Sequence, residues 1–263
     1  MFVREKKILV LIAPMVATLF LFTVQSEALV MAESTSTLDW NTFSFTLGPG
    51  MTISWQNNAY LSNANSAISV GDVHNLVYDN HTVNNWTSDV SSAADYPGAH
   101  NEVSITSANG ILHSFSTVDN SVSDATTANG GAQRTGYFSV SGSGTITFSI
   151  NYVLESFAKN FGFDSSGTDA AAVLSLNRLG ADYSFIEADV IRVDSNSMAS
   201  WPWGGESHSD SQSGTLYASL YFTDGQKGEI IAQAISAAGY VPPARPVPEP
   251  SVLMLFGSGL LGA

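Results

Sequence analysis

The feature that most constrains this chain is the strict alternation from Gly144 to Leu154. Ile146, Phe148, Ile150, Tyr152 and Leu154 fall on one side, and Thr145, Thr147, Ser149 and Asn151 on the other. A period of two matches a strand with one buried face and cannot make an apolar helical stripe. Thr42 to Leu47 repeats it with Phe43, Phe45 and Leu47. After Gly48-Pro49-Gly50 it resumes with Met51, Ile53 and Trp55, which reads as a hairpin. Thr215 to Phe222 points Leu216, Ala218, Leu220 and Phe222 inward, and Asp224-Gly225 reads as a hairpin turn into a strand over Gly228 to Ala238. Weaker strand patterns cover Asn75–Tyr78, Glu102–Thr106, Ile111–Val118, Thr135–Val140, Ala171–Asn177 and Asp189–Val193. Roughly ten to twelve strands imply an all-β fold: an antiparallel two-sheet β-sandwich, jelly-roll-like, with a closed barrel as the alternative. Asn57 to Ala99, rich in Asn, Ser, Ala and Asp, reads as long loops, the place where binding residues collect.

Composition agrees. Only 12% of the 263 residues are charged, and Ser and Thr supply about a fifth. The net charge of −14 leaves no basic face to displace counterions from phosphate, so nucleic-acid binding is excluded. Anionic membrane surfaces are disfavoured for the same reason. With no cysteine, disulfides, thiol nucleophiles and thiolate metal sites are excluded.

The two ends differ from the middle. Arg4, Lys6 and Lys7 precede an uncharged, mostly apolar stretch from Ile8 to Val24. Ser26-Glu27-Ala28 and Val30-Met31-Ala32 each fit a small-x-Ala cleavage pattern, so residues 1–32 read as a signal peptide, helical in its apolar part, cut after Ala28 or Ala32. One β domain is expected over 33–240. A proline-rich spacer, 241–251, leads through Val247, Pro248, Glu249 and Pro250 into an apolar segment, 252–263.

That Pro-Glu-Pro motif beside a Gly-containing apolar run resembles the PEP-CTERM sorting tail of exported proteins in Gram-negative bacteria that make exopolysaccharide. The resemblance implies processing by an exosortase-type membrane enzyme and transient membrane association through the tail. It places the protein at the cell envelope, the outer surface or the extracellular matrix. The tail departs from the pattern: 13 residues follow Pro250, fewer than the roughly 20 of a span, and no Arg cluster closes it, so it reads as truncated.

No catalytic residue is expected. Glu187-Ala188-Asp189-Val190-Ile191-Arg192 resembles the carboxylate strand of jelly-roll retaining glycosidases, but Arg192 stands where the acid/base Glu would be. His74, His81, His100, His113 and His208 lack the close spacing of a metal pair. Asp164 to Asp169 invites a calcium-loop reading, yet Asp169 and Ser175 occupy the positions an EF-hand gives to Gly and Glu, so no motif supports calcium and no cofactor is expected. Trp201 and Trp203, in a Gly- and Pro-rich segment, are the candidate glycan contacts. The expected function is a non-enzymatic surface or matrix protein with a structural or adhesive role in exopolysaccharide and biofilm. A carbohydrate-binding module is the alternative, and a glycan-active enzyme the third reading.

Overall fold

The computed structural model describes residues 29–71, 75–119, 121–122, 124–160, 164–200 and 206–242. The signal segment through Ala28, His74, Trp201, Trp203 and the tail with its Pro-Glu-Pro motif lie outside the described residues. The described chain is all-β, with no helix and two six-stranded antiparallel sheets.

The first sheet contains β1 (Val30–Leu47), β4 (Val90–Tyr96), β5 (Ala99–Thr106), β6 (Ile111–Asp119), β8 (Gly144–Lys159) and β11 (Ser207–Phe222). Its order is β11-β8-β1-β6-β5-β4. The second contains β2 (Thr52–Val70), β3 (Asn75–Val83), β7 (Thr126–Ser141), β9 (Ser165–Leu179), β10 (Phe185–Ser200) and β12 (Lys227–Val241). Its order is β10-β9-β12-β7-β2-β3.

The alternation places residues as expected where it is strongest: Ile146, Phe148, Ile150 and Leu154 are fully buried, as are Ala218 and Phe222. Three expectations are corrected. Gly48-Pro49-Gly50 joins β1 to β2 and Asp224-Gly225 joins β11 to β12, yet neither pair shares a sheet. Each turn carries the chain across the interior instead of closing a hairpin. The 57–99 region is not loop: it holds most of β2, all of β3 and β4, and the start of β5. In β2 the inward residues are Ser62, Ala64 and Ser66, and the neighbours facing out are Asn63 and Asn65, so the alternation is one of size that polarity does not reveal.

The interior has two unlike ends. One is aromatic: Trp40 stacks on Phe43 at 4.2 Å and 6°, Phe43 and Trp55 pack on Phe148, and Phe138 meets Phe222. Trp86 caps this end over Gly136, where any side chain would occupy the indole's place. Its Nε1 donates to the Thr135 carbonyl. The Arg134 guanidinium, 2% exposed, donates to the Trp86 carbonyl and lies 5.0 Å from the Trp40 ring. Burial lowers its pKa to about 10.

The other end is narrow and lined by small residues. A smaller apolar cluster of Met31, Ala32, Ala128, Val118 and Ala238 closes it. Between the two clusters runs a band of buried serines bonded across the sheets. Ser114 and Ser116 of β6 each sit 2.7 Å from Ser236 of β12, and Ser156 of β8 meets Ser195 and Ser197 of β10. Ser66 of β2 pairs with Ser92 of β4. Ser36 of β1 donates directly to the Ala171 backbone carbonyl of β9 at 2.7 Å. A serine side chain spanning to the opposite backbone requires a separation well below the roughly 10 Å of ordinary face-to-face sheets. Buried hydroxyls are tolerated here because they bond to one another.

Candidate functional site

The carboxylates singled out in sequence are spent on holding strands. Glu187 forms a 2.7 Å ion pair with Arg178, and Arg178 also donates to the Tyr221 carbonyl. Asp189 accepts from the Ser219 backbone N–H at 2.6 Å. Both contacts lace the open side between β9/β10 and β11. Asp79 does the same on the opposite side, accepting from the Ala93 N–H of β4. Arg192 bridges Asp169 and Asp194 on the outer surface, away from Asp189. Burial pushes the Asp169 carboxyl up despite that partner.

Asp164 to Asp169 is not a loop. Asp164 is buried and accepts from the Tyr240 hydroxyl, and β9 begins at the next residue. His81 meets Asp79, His100 meets Asp95, His113 meets Thr37 and His208 meets Glu206, each at a separate place. Among the described residues, no three acidic or histidine side chains converge on a metal-sized space.

The surface with the most shape is the outer face of the second sheet. Its register aligns side chains in rows across all six strands. One row runs Tyr78, Ala67, Asn129, Ala237, Asp169, Asn196. The next runs Leu76, Ser69, Thr127, Gly239, Gly167, Met198. The second row is short at its centre, with Thr127, Gly239 and Gly167 between Leu76 and Met198; the first is low at Ala67 and Ala237 and raised at Tyr78. Leu76 is 65% exposed, Tyr78 58% and Met198 72%. A low centre between raised edges makes a trough. Three adjoining depressions of about 290, 570 and 250 Å³ occupy it, successive ones sharing Asn129 and then Thr127, Gly167 and Gly239. Asn65, Gln133 and Gln233 wall its inner side, with Gln233 donating to Gln133 at 2.5 Å.

The trough lies behind the serine band. In β12 the inward neighbours of Ala237 and Gly239 are Ser236 and Ala238. In β7 those of Thr127 and Asn129 are Ala128 and Gly130. The three central strands are thin on both faces, and the cross-sheet serine bonds draw them inward. Nothing in a single strand announces this, because it exists only once six strands are in register. The outer face of the first sheet differs. It carries Glu33, Asp39, Glu102 and Glu155, and one depression of about 380 Å³ between Thr37, Asn151 and Gly214.

No family model matches the chain, and no curated protein matches it. Among solved structures, the enzymatically active domain of tailspike protein 4 from bacteriophage CBA120 is similar at 13% identity, with a TM-score of 0.14. That match covers 60% of this chain and 20% of the tailspike chain. A likeness at this level carries no argument about fold or activity.

Proposed function

We propose that this is an exported, non-enzymatic protein of the cell surface or extracellular matrix, with a structural or adhesive role in exopolysaccharide. The carrying observation is the sequence of the ends: a charged start and apolar run, and Val247-Pro248-Glu249-Pro250 before a second apolar run. In this reading an exosortase-type enzyme of a Gram-negative host processes the tail, and the two sheets form a jelly-roll-like sandwich. Repeated crossing of the chain between sheets, at β1 to β2, β7 to β8, β8 to β9 and β11 to β12, supports that topology.

Burial at the start of β1 bears on processing. Met31 and Ala32 are fully buried, and Ala32 pairs with Val118 on one side and Ala158 on the other. Cleavage after Ala28 leaves these residues in place, whereas cleavage after Ala32 strips them from the smaller cluster. The engagement of Glu187 and Asp189 in strand-bridging contacts favours the non-enzymatic reading. Deleting Pro248, Glu249 and Pro250 should move the protein between membrane and extracellular fractions of its host; an unchanged distribution would contradict tail-directed sorting.

The second reading, a carbohydrate-binding module, is favoured by the trough. The Gly- and Pro-rich segment of the sequence supplies Trp201 and Trp203 as its aromatic contacts. Replacing both with Ala should then abolish retention on host polysaccharide without lowering the melting temperature.

A further inference from the structure

We infer that the trough along the second sheet binds a linear, neutral polysaccharide chain lying lengthwise over β7, β12 and β9, between the raised edges at Tyr78 and Met198. The inference rests on the carbohydrate-binding reading and gives it a place and a ligand class.

The wall chemistry selects hydroxyls. Asn129 and Asn196 each present an amide with donor hydrogens and an acceptor oxygen, which suits sugar hydroxyls that both give and receive hydrogen bonds. Charge excludes polyanions. The chain carries −14 overall, and the cation beside the trough, Arg192, is already held by Asp169 and Asp194. The raised edges supply apolar surface for the C–H faces of sugar rings, with exposed Tyr78 on one side and Met198 on the other.

Direction and length point the same way. From Gln233 to Val241 the trough follows β12 for eight residues, about 27 Å at about 3.4 Å per residue. It runs along the strands between the raised edges, so it accommodates an extended chain. An extended peptide would fit poorly. Peptides dock by adding to a strand edge, where backbone groups are free, whereas the floor strands β7, β12 and β9 are paired on both sides. A second copy of this chain is disfavoured by like charge, because facing troughs would oppose two Asp169–Asp194 pairs on chains of −14 each.

The test is affinity electrophoresis of the mature, full-length exported protein. Native gels would contain hydroxyethylcellulose, galactomannan or, as the anionic counterpart, alginate. Gly167→Tyr fills the trough without strain, since a Cβ there meets nothing nearer than the Ser197 carbonyl at 3.9 Å. Val153→Tyr, on the other sheet's outer face, is the control. Retardation by a neutral gel, weakened at least about tenfold by Gly167→Tyr and kept by Val153→Tyr, is the expected result. Retardation that survives Gly167→Tyr would overturn the trough while leaving carbohydrate binding standing. No retardation of wild type in any gel would overturn both. Retardation by alginate alone would overturn the neutral ligand. A wild-type dimer by light scattering that Gly167→Tyr makes monomeric would assign the trough to a second copy.

Discussion

The aromatic end and the serine-lined end of the interior are built from the same twelve strands but do different work. At the aromatic end, Phe148, Phe138 and Trp55 fill the space between the sheets with rings, and burial of that area holds the fold together. At the narrow end, hydroxyls replace rings. The Ser114–Ser236–Ser116 cluster gains only the modest net value of hydrogen bonds made in exchange for water. In return it sets the distance between sheets and leaves a hollow behind it. Stability is concentrated at one end and surface shape at the other.

Four substitutions test that contrast. Phe148→Ala should cost about 3–5 kcal/mol, as large aromatic deletions in well-packed cores do; denaturant unfolding of the mature chain measures it. Met31→Ala, in the smaller cluster, should cost about 2 kcal/mol. An equal loss at both sites would remove the distinction between the ends. Ser236→Val deletes two cross-sheet hydrogen bonds and adds volume where the sheets are closest. It should cost about 1–3 kcal/mol and, by pushing β12 outward, weaken retardation in neutral polysaccharide gels. A loss of stability with binding untouched would separate the band from the trough.

The smallest effect is a pH dependence. Burial, and then the charge of Asp164, raise the Tyr240 phenol from its ordinary value of 10 to about 12. The folded state then holds a proton that the unfolded state has released. The stability this contributes is present below pH 10 and is lost as pH rises through 12. Tyr240→Phe should flatten the fall in stability over that window, measured as melting temperature against pH; an unaltered slope would assign the fall to other groups, Tyr137 beside Glu229 first.

How much of this was legible in the sequence follows the same division. Where inward residues are large and apolar, as along Ile146, Phe148 and Ile150, alternation alone places them. In β2, Ser62, Ala64 and Ser66 face inward beside outward Asn63 and Asn65, and the polarity pattern vanishes although the strand is as regular as any other. The turns at Gly48-Pro49-Gly50 and Asp224-Gly225 are real turns, but their residues do not encode whether the next strand pairs with the last or crosses to the facing sheet. The trough depends on registers such as Asn129 opposite both Ala67 and Ala237, partners 62 and 108 positions away in the chain. No local signal carries that. Trp40, Trp55 and Trp86 are visible in the sequence, yet their convergence is a product of topology.

The terminal peptides of the native protein decide whether the tail directs its sorting. Mass spectrometry of membrane and extracellular fractions from the host should find an amino terminus at Leu29 and a carboxyl terminus trimmed near Pro248 to Pro250 on the extracellular form. Free extracellular protein with its tail intact through Ala263 would contradict sorting through that tail.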